Sequence, residues 1–97
     1  MGQLTQRYEI VKDVRETFYF KVFFFKGTPC YAKNFKLILL KDCDIIKEIE
    51  PLEVSENGIY FLIGDDVPEG KYNYDVAMIT DNEYITLLNN RRLIVTC

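Results

Sequence analysis

The sequence predicts an all-β sandwich of seven to eight antiparallel strands, folded as a single domain over residues 1–97. Short runs rich in aromatic and β-branched residues alternate with turn signals about every 8–12 residues, which is typical of such folds. Apolar residues alternate with polar ones inside several of these runs, as in strands with one buried face. No long segment has helical spacing, and a hydrophobic content of 48% argues against disorder.

The stretch from Pro68 to Ile79 predicts the central strand and the corner that leads into it. Pro68 fixes its own φ, and Gly70 accepts a backbone angle that other residues resist. Tyr72 and Tyr74 begin a face that continues with apolar residues, so we expect both rings in the core. Because Tyr72 follows the turn directly, we expect its hydroxyl to hydrogen-bond to upstream backbone.

Seven further strands are expected on either side of this one. In chain order they are Tyr8–Val14, Thr17–Phe25, Lys36–Lys41, Ile45–Ile49, Ile59–Ile63, Glu83–Leu88 and Arg92–Thr96. Turns rich in Gly, Pro, Asn and Asp separate them, at Lys26–Pro29, Asp42–Asp44, Asn57–Gly58, Gly64–Gly70, Thr80–Asn82 and Asn89–Asn90. Asn57–Gly58 is expected to form a hairpin turn because both residues accept positive φ.

Charge and residue content exclude most kinds of active site. A net charge of −3 does not favour nucleic acid or an anionic membrane as partner. The chain has no histidine and no glycine-rich phosphate loop, so we expect no enzyme, cofactor, metal site or small-molecule substrate. The acidic pairs Asp42/Asp44 and Asp65/Asp66 lie in predicted turns, where Asp side chains bond nearby backbone amides.

The three cysteines, Cys30, Cys43 and Cys97, lack the paired spacing of a disulfide framework. Residues Met1–Gln6 also lack the apolar core of a signal peptide. We therefore expect free thiols and folding in a reducing cytosol.

Aromatic residues beyond the needs of a small core cluster in and just after Thr17–Phe25. The candidate interface residues are Tyr19, Phe23, Phe25, Tyr31 and Phe35. Either the domain's own loops cover both faces of this strand, or the residues form a patch that docks on another protein. The sequence alone leaves both interpretations open.

The run Pro68-Glu69-Gly70-Lys71-Tyr72-Asn73-Tyr74-Asp75 is followed by Thr86-Leu87-Leu88 and Leu93-Ile94-Val95. This pattern resembles small immunoglobulin-like domains of bacteriophage virion proteins, including the N-terminal domains of some baseplate and fibre proteins. Glu16–Val22 resembles the early strand of that family, whereas Asn89–Asn90 stands where its members usually carry Gly. The resemblance covers less than half of the chain.

The resemblance implies an immunoglobulin-like sandwich and a non-enzymatic virion structural protein. It favours an auxiliary capsid protein that docks on the major capsid protein and stabilises the shell, or that supports a head fibre. Assembly in the cytoplasm of a bacterial host would agree with free thiols. The alternatives are a small tail or baseplate adaptor, and a carbohydrate-binding or adhesin-like module.

Overall fold

The computed structural model describes residues 3–4, 8–29 and 32–97, with the backbone alone at residues 3–4. Within these ranges the chain is all-β and contains no helix. The strands are β1 (Gln3–Leu4), β2 (Ile10–Asp13), β3 (Phe18–Phe23), β4 (Asn34–Lys41), β5 (Asp44–Ile49), β6 (Glu53–Ser55), β7 (Gly58–Ile63), β8 (Gly70–Ile79) and β9 (Tyr84–Thr96).

These strands form two sheets. The larger has the order β1-β2-β9-β8-β4-β5 and the smaller the order β3-β7-β6. As expected, the strand that follows Pro68 lies inside the larger sheet, between β9 and β4. The prediction of purely antiparallel pairing is wrong, because β2 runs parallel to β9. Most of the chain separates these two strands, so no short hairpin forces them to be antiparallel.

The last strand also differs from expectation. Asn89 and Asn90 do not form a turn but continue through β9, with a register shift against β8. Asn90 takes a φ of 53°, and its amide donates to Asp75 Oδ1 at 2.7 Å. An Asn tolerates this left-handed conformation, and the extra residue is absorbed as an irregularity within the ladder.

Two hairpin turns, between β4 and β5 and between β6 and β7, differ in which backbone angles they use. Asp42 and Cys43, between β4 and β5, have φ values of 53° and 69°, the pair of positive angles that a type I′ hairpin needs. Gly58 was expected to supply positive φ, but it does not; it opens β7 after a turn at Glu56–Asn57. A Cβ at Gly58 would lie 2.6 Å from the Val22 carbonyl oxygen, so lack of space explains this glycine.

The inward side chains of both sheets share one core. Phe20 of β3 stacks on Phe61 of β7 at 5.9 Å between ring centroids, and meets Tyr74 of β8 edge-on at 5.6 Å. Because Tyr74 belongs to the other sheet, this contact joins the two layers. Such aromatic pairs contribute about 0.5–1.5 kcal/mol beyond their area burial.

The corner before β8 is fixed by a local hydrogen bond. The buried Tyr72 hydroxyl donates to the Pro68 carbonyl oxygen at 2.7 Å, which is the kind of bond that the spacing predicts. Gly70, between them, has a φ of 154°, which an L side chain rarely adopts. Tyr74 is fully buried, and its hydroxyl donates to the Tyr8 carbonyl oxygen. Pro68, Gly70, Tyr72 and Tyr74, the four residues predicted to form this corner, therefore contribute to the fold through backbone geometry, hydrogen bonds and burial.

Candidate functional site

The candidate site is the outer surface of the three-stranded sheet. In β3, alternate residues such as Phe20 and Val22 point into the core, so Tyr19, Lys21 and Phe23 point outwards. β7 pairs with β3 so that Tyr60 lies opposite Lys21, and Leu62 opposite Tyr19. Opposed residues in a ladder share one side of the sheet. We call the surface formed by Tyr19, Lys21, Phe23, Tyr60 and Leu62 the aromatic face.

Two rings of the aromatic face are open to solvent. Tyr19 is 64% exposed and Phe23 is 63% exposed. The interpretation in which the chain's own loops cover this face is therefore wrong for these two residues. Exposed aromatic surface on a sheet is the kind of surface that protein interfaces bury.

A fixed positive charge lies within the aromatic face. Lys21 Nζ is 4.4 Å from the ring centroid of Phe23 and 4.7 Å from that of Tyr60. It also donates a hydrogen bond to Asn57 Oδ1 at 3.2 Å. The Lys21 side chain passes over Gly58, where a Cβ would lie 2.6 Å from Lys21 Cε. The face thus combines apolar rings with one oriented ammonium group.

The other three residues predicted for the interface do not belong to the aromatic face. Phe25 is fully exposed, but it lies in the turn after β3, because the strand ends at Phe23 rather than at Phe25. Phe35 is only 3% exposed, so its assignment to the interface is wrong. It faces the core because β4 includes it, on the same side as the buried Leu37 and Leu39, and it packs on Phe24 with 6.0 Å between centroids. Tyr31 lies outside the described residues.

Tyr60 and Leu62 were not selected from the sequence. The apolar residues Ile59, Phe61 and Ile63 mark the core side of their strand in the sequence, and all three are buried. The same alternation places Tyr60 and Leu62 on the outer side. That signal is present in the sequence, but only the register with β3 shows that it extends the surface of Tyr19 and Lys21.

The outer side of the larger sheet carries a groove of about 790 Å³, whose lining combines polar side chains with Leu40 and Ile94. Three basic residues, Lys41, Lys71 and Arg92, line it together with Asp42 and Asp75. The amide side chains in its wall are Asn73, Asn89 and Asn90. Asn73 Nδ2 donates to Asn90 Oδ1 at 2.6 Å, so part of this wall is already ordered by internal bonds.

The acidic pairs and the thiols show no reactive arrangement within the described ranges. Asp42 belongs to the β4–β5 turn, and Asp66 forms an ion pair with Lys47. No group of three or more potential metal ligands occurs in the described part of the chain. Cys43 and Cys97 are exposed free thiols, and the neighbouring Glu69 carboxylate raises the pKa of Cys97, which lowers its thiolate content. Cys30 lies outside the described residues.

Among the residues that the structure describes, no helix has the length and apolar character needed to cross a bilayer. Comparison of the chain with protein-family models, curated proteins and solved structures gives no match.

Proposed function

We propose that the chain is a non-enzymatic attachment protein that docks on a larger protein through the aromatic face. The observation that carries this proposal is the exposure of Tyr19 and Phe23, with the Lys21 ammonium held over the Phe23 ring. Aromatic residues are enriched in the cores of protein interfaces. A partner that covers this surface would remove apolar area from water at about 25 cal/mol per Å².

The proposal includes an immunoglobulin-like fold for the domain. The order β3-β7-β6 corresponds to strands B-E-D of that fold, and β9-β8-β4-β5 corresponds to G-F-C-C′. The bond from Tyr72 to Pro68 supports the assignment, since a tyrosine near the start of strand F bonds upstream backbone in many such domains. β8 is the strand that corresponds to F.

The Phe20–Tyr74 contact adds a further argument for this assignment. In antibody domains a disulfide joins strands B and F, and its second cysteine lies two residues after the corner tyrosine. Tyr74 occupies that position here, and its edge-on partner Phe20 lies on the strand that corresponds to B. An aromatic pair thus takes the place of the covalent bond between the sheets, in keeping with a fold that works with free thiols.

The resemblance to small domains of bacteriophage virion proteins supports a place in a virus particle. We propose an auxiliary capsid protein, assembled in the cytoplasm of a bacterial host, that docks on the major capsid protein or supports a head fibre. In this role the aromatic face would lie against the shell or the fibre. A tail or baseplate adaptor would use the same face on a different virion protein.

The experiment uses virus particles that lack this chain, prepared from the virus that encodes it. Purified chain is added to these particles, and the amount of chain that sediments with them is measured. Phe23→Asp should abolish binding while its circular dichroism stays unchanged. Tyr84→Asp is a matched control, because Tyr84 is 56% exposed on the other sheet. Full binding by the folded Phe23→Asp variant, or no particle association of the unmodified chain, would overturn the proposal.

The groove on the larger sheet favours a second candidate, a glycan-binding module. Amide and charged side chains such as Asn73 and Arg92 supply the directional donors that sugar hydroxyls and carboxylates need. Isothermal titration with neutral and acidic oligosaccharides would test this candidate. Binding that Arg92→Ala weakens and Phe23→Asp leaves unchanged would support it; no heat of binding with either sugar class would remove it.

A further inference from the structure

The two sheets end in four strand edges, and these edges differ in how they are protected. β1 has two residues and β6 has three, so neither offers a long ladder. β5 carries Asp44, Lys47 and Glu48, and its pairing with β4 contains a register shift. Short length, charges and irregular pairing are the usual means by which proteins block edge-to-edge association. β3 has six residues, and Lys21 is its only charged side chain.

No strand of the described chain covers the outer edge of β3. Its register is with β7 alone. β1 precedes β3 in the chain, but it forms an antiparallel hairpin with β2 on the other sheet. The first strand is thereby used elsewhere, and the edge of β3 stays open in the described structure.

The hydrogen-bonding groups of this edge follow from one contact. Phe24 N donates to Asn57 O at 3.0 Å, which continues the register that pairs Phe23 with Gly58. In an antiparallel ladder, bonded and non-bonded pairs alternate, so residues two and four positions before Phe24 also bond β7. The N–H and C=O groups of Tyr19, Lys21 and Phe23 consequently point to the open edge.

Lys21 does not block strand pairing at this edge as a lysine that extends freely into solvent would. Lys21 Nζ is directed over its own sheet, between the rings of Phe23 and Tyr60 and towards Asn57. A lysine held in this way leaves the backbone of β3 accessible from the side.

We propose that a second copy of this chain occupies the edge, with β3 paired antiparallel to its symmetry mate about a two-fold axis at Phe20. Antiparallel pairing that matches inward with inward and outward with outward side chains permits two-fold axes at Tyr19, Phe20, Lys21 or Val22, of which the axis at Tyr19 pairs only three residues of β3. The axis at Lys21 opposes two like charges, and the axis at Val22 pairs only three residues of β3. The axis at Phe20 avoids both faults.

In this arrangement each Tyr19 lies opposite the second copy's Lys21, and these are the hydrogen-bonded positions of the new ladder. Each ring thus neighbours a cation on the outer surface. Phe20 lies opposite its own symmetry mate in the ladder, while its ring stays in the core of its own domain. The two three-stranded sheets become one sheet of six strands, whose outer surface carries both aromatic faces. The dimer does not depend on the proposed virion role.

Sedimentation velocity of the full chain over a range of concentrations tests the proposal. We expect a monomer–dimer equilibrium. Tyr19→Lys should lower the association constant at least about tenfold, because it sets two pairs of like charges opposite each other. Tyr19→Lys combined with Lys21→Glu should restore dimers, since the axis at Phe20 then opposes Lys with Glu. Tyr84→Lys, an exposed site on the other sheet, should leave the association constant unchanged.

Cysteine cross-linking tests the register independently, in a background with Cys30, Cys43 and Cys97 changed to serine. A mixture of Tyr19→Cys and Lys21→Cys chains should form a disulfide-linked dimer, because opposed bonded pairs have Cα atoms about 5.5 Å apart, within disulfide range. Lys21→Cys alone should not cross-link.

Several outcomes would overturn the proposal. These are a monomer at every concentration, growth beyond the dimer, a Tyr19→Lys variant that dimerises normally, and cross-linking of Lys21→Cys with itself. A monomeric chain that binds an extended segment of another protein at this edge would also exclude the second copy as its occupant.

Discussion

Replacing Tyr72 by phenylalanine removes the hydroxyl oxygen and leaves the buried ring in place. The lost interaction is the 2.7 Å hydrogen bond to the Pro68 carbonyl oxygen. A hydrogen bond of this kind contributes about 1 kcal/mol net to stability. Pro68 is exposed, so water can bond its carbonyl once the hydroxyl is gone. We therefore expect the free energy of unfolding to fall by about 1 kcal/mol and no more.

Tyr74→Phe provides the comparison. Tyr74 is 0% exposed, and its hydroxyl donates to the carbonyl of the half-buried Tyr8. Water has poorer access to this acceptor, so part of its desolvation penalty is added to the lost bond, for a total of about 1–3 kcal/mol. The structure thus predicts that Tyr74→Phe destabilises the domain more than Tyr72→Phe.

Guanidinium unfolding followed by far-ultraviolet circular dichroism measures both values, since the chain has no tryptophan to report by fluorescence. A loss of 1 kcal/mol corresponds to a fall of roughly 4–8 °C in melting temperature for a domain of this size. Tyr19→Phe is the control: its ring is 64% exposed, and a change there should stay within about 0.5 kcal/mol. A Tyr72→Phe protein as stable as the unmodified chain would show that the corner bond contributes nothing. A larger loss for Tyr72→Phe than for Tyr74→Phe would refute the reasoning from water access.

Three further predictions concern the core and the aromatic face. Phe35→Ala should lower the free energy of unfolding by roughly 3–5 kcal/mol, whereas Phe23→Ala should cost under about 1 kcal/mol; equal losses in chemical denaturation would contradict their opposite burial. Gly58→Ala should cost roughly 1–3 kcal/mol in the same assay, because its Cβ would lie 2.6 Å from the Val22 carbonyl oxygen, and an unchanged midpoint would show that the strands separate freely. Burial raises the pKa of the Tyr74 phenol, so the stability it contributes is complete below the unfolded pKa of about 10 and is lost as pH rises above that value; Tyr74→Phe should reduce the alkaline slope of the unfolding free energy, and an identical slope would exclude Tyr74 as its source.

The sequence is sufficient for the strands whose alternation is regular. In β8, Tyr72 and Tyr74 begin an unbroken series of inward residues, and both are buried as expected. Phe20 and Phe61 follow the same rule in β3 and β7. In these strands one face is apolar throughout, so a shift of register by one residue would expose it, and the pattern alone fixes the orientation.

The pattern fails where neighbouring residues decide the outcome. Val11 interrupts the alternation of β2, and the structure turns Lys12 inward instead, with 1% exposure. Its amine bonds the Asp13 carbonyl oxygen at 2.8 Å, a solution that composition does not suggest. The pattern starts this strand at Lys36, two residues after its actual start at Asn34, and so leaves Phe35 outside the strand and its buried face. A glycine in a predicted turn is likewise ambiguous in the sequence. It can be required by a positive φ or, as at Gly58, by the lack of space for a Cβ, and the sequence does not distinguish the two.

The exposed rings of β3 call for a reason other than the stability of the isolated domain. The inward positions of this strand already supply Phe20 and Val22 to the core. At outward positions threonine would satisfy the preference for strand structure without exposing a ring to water. Tyr19 and Phe23 are instead placed on both sides of Lys21, on the one long edge that lacks protective charges or a covering strand in the described chain. A larger partner that covers the aromatic face would account for the exposed rings, and a second copy at the edge of β3 would account for its lack of protection. The two contacts are compatible, because the face uses the side chains of these residues and the edge uses their backbone N–H and C=O groups.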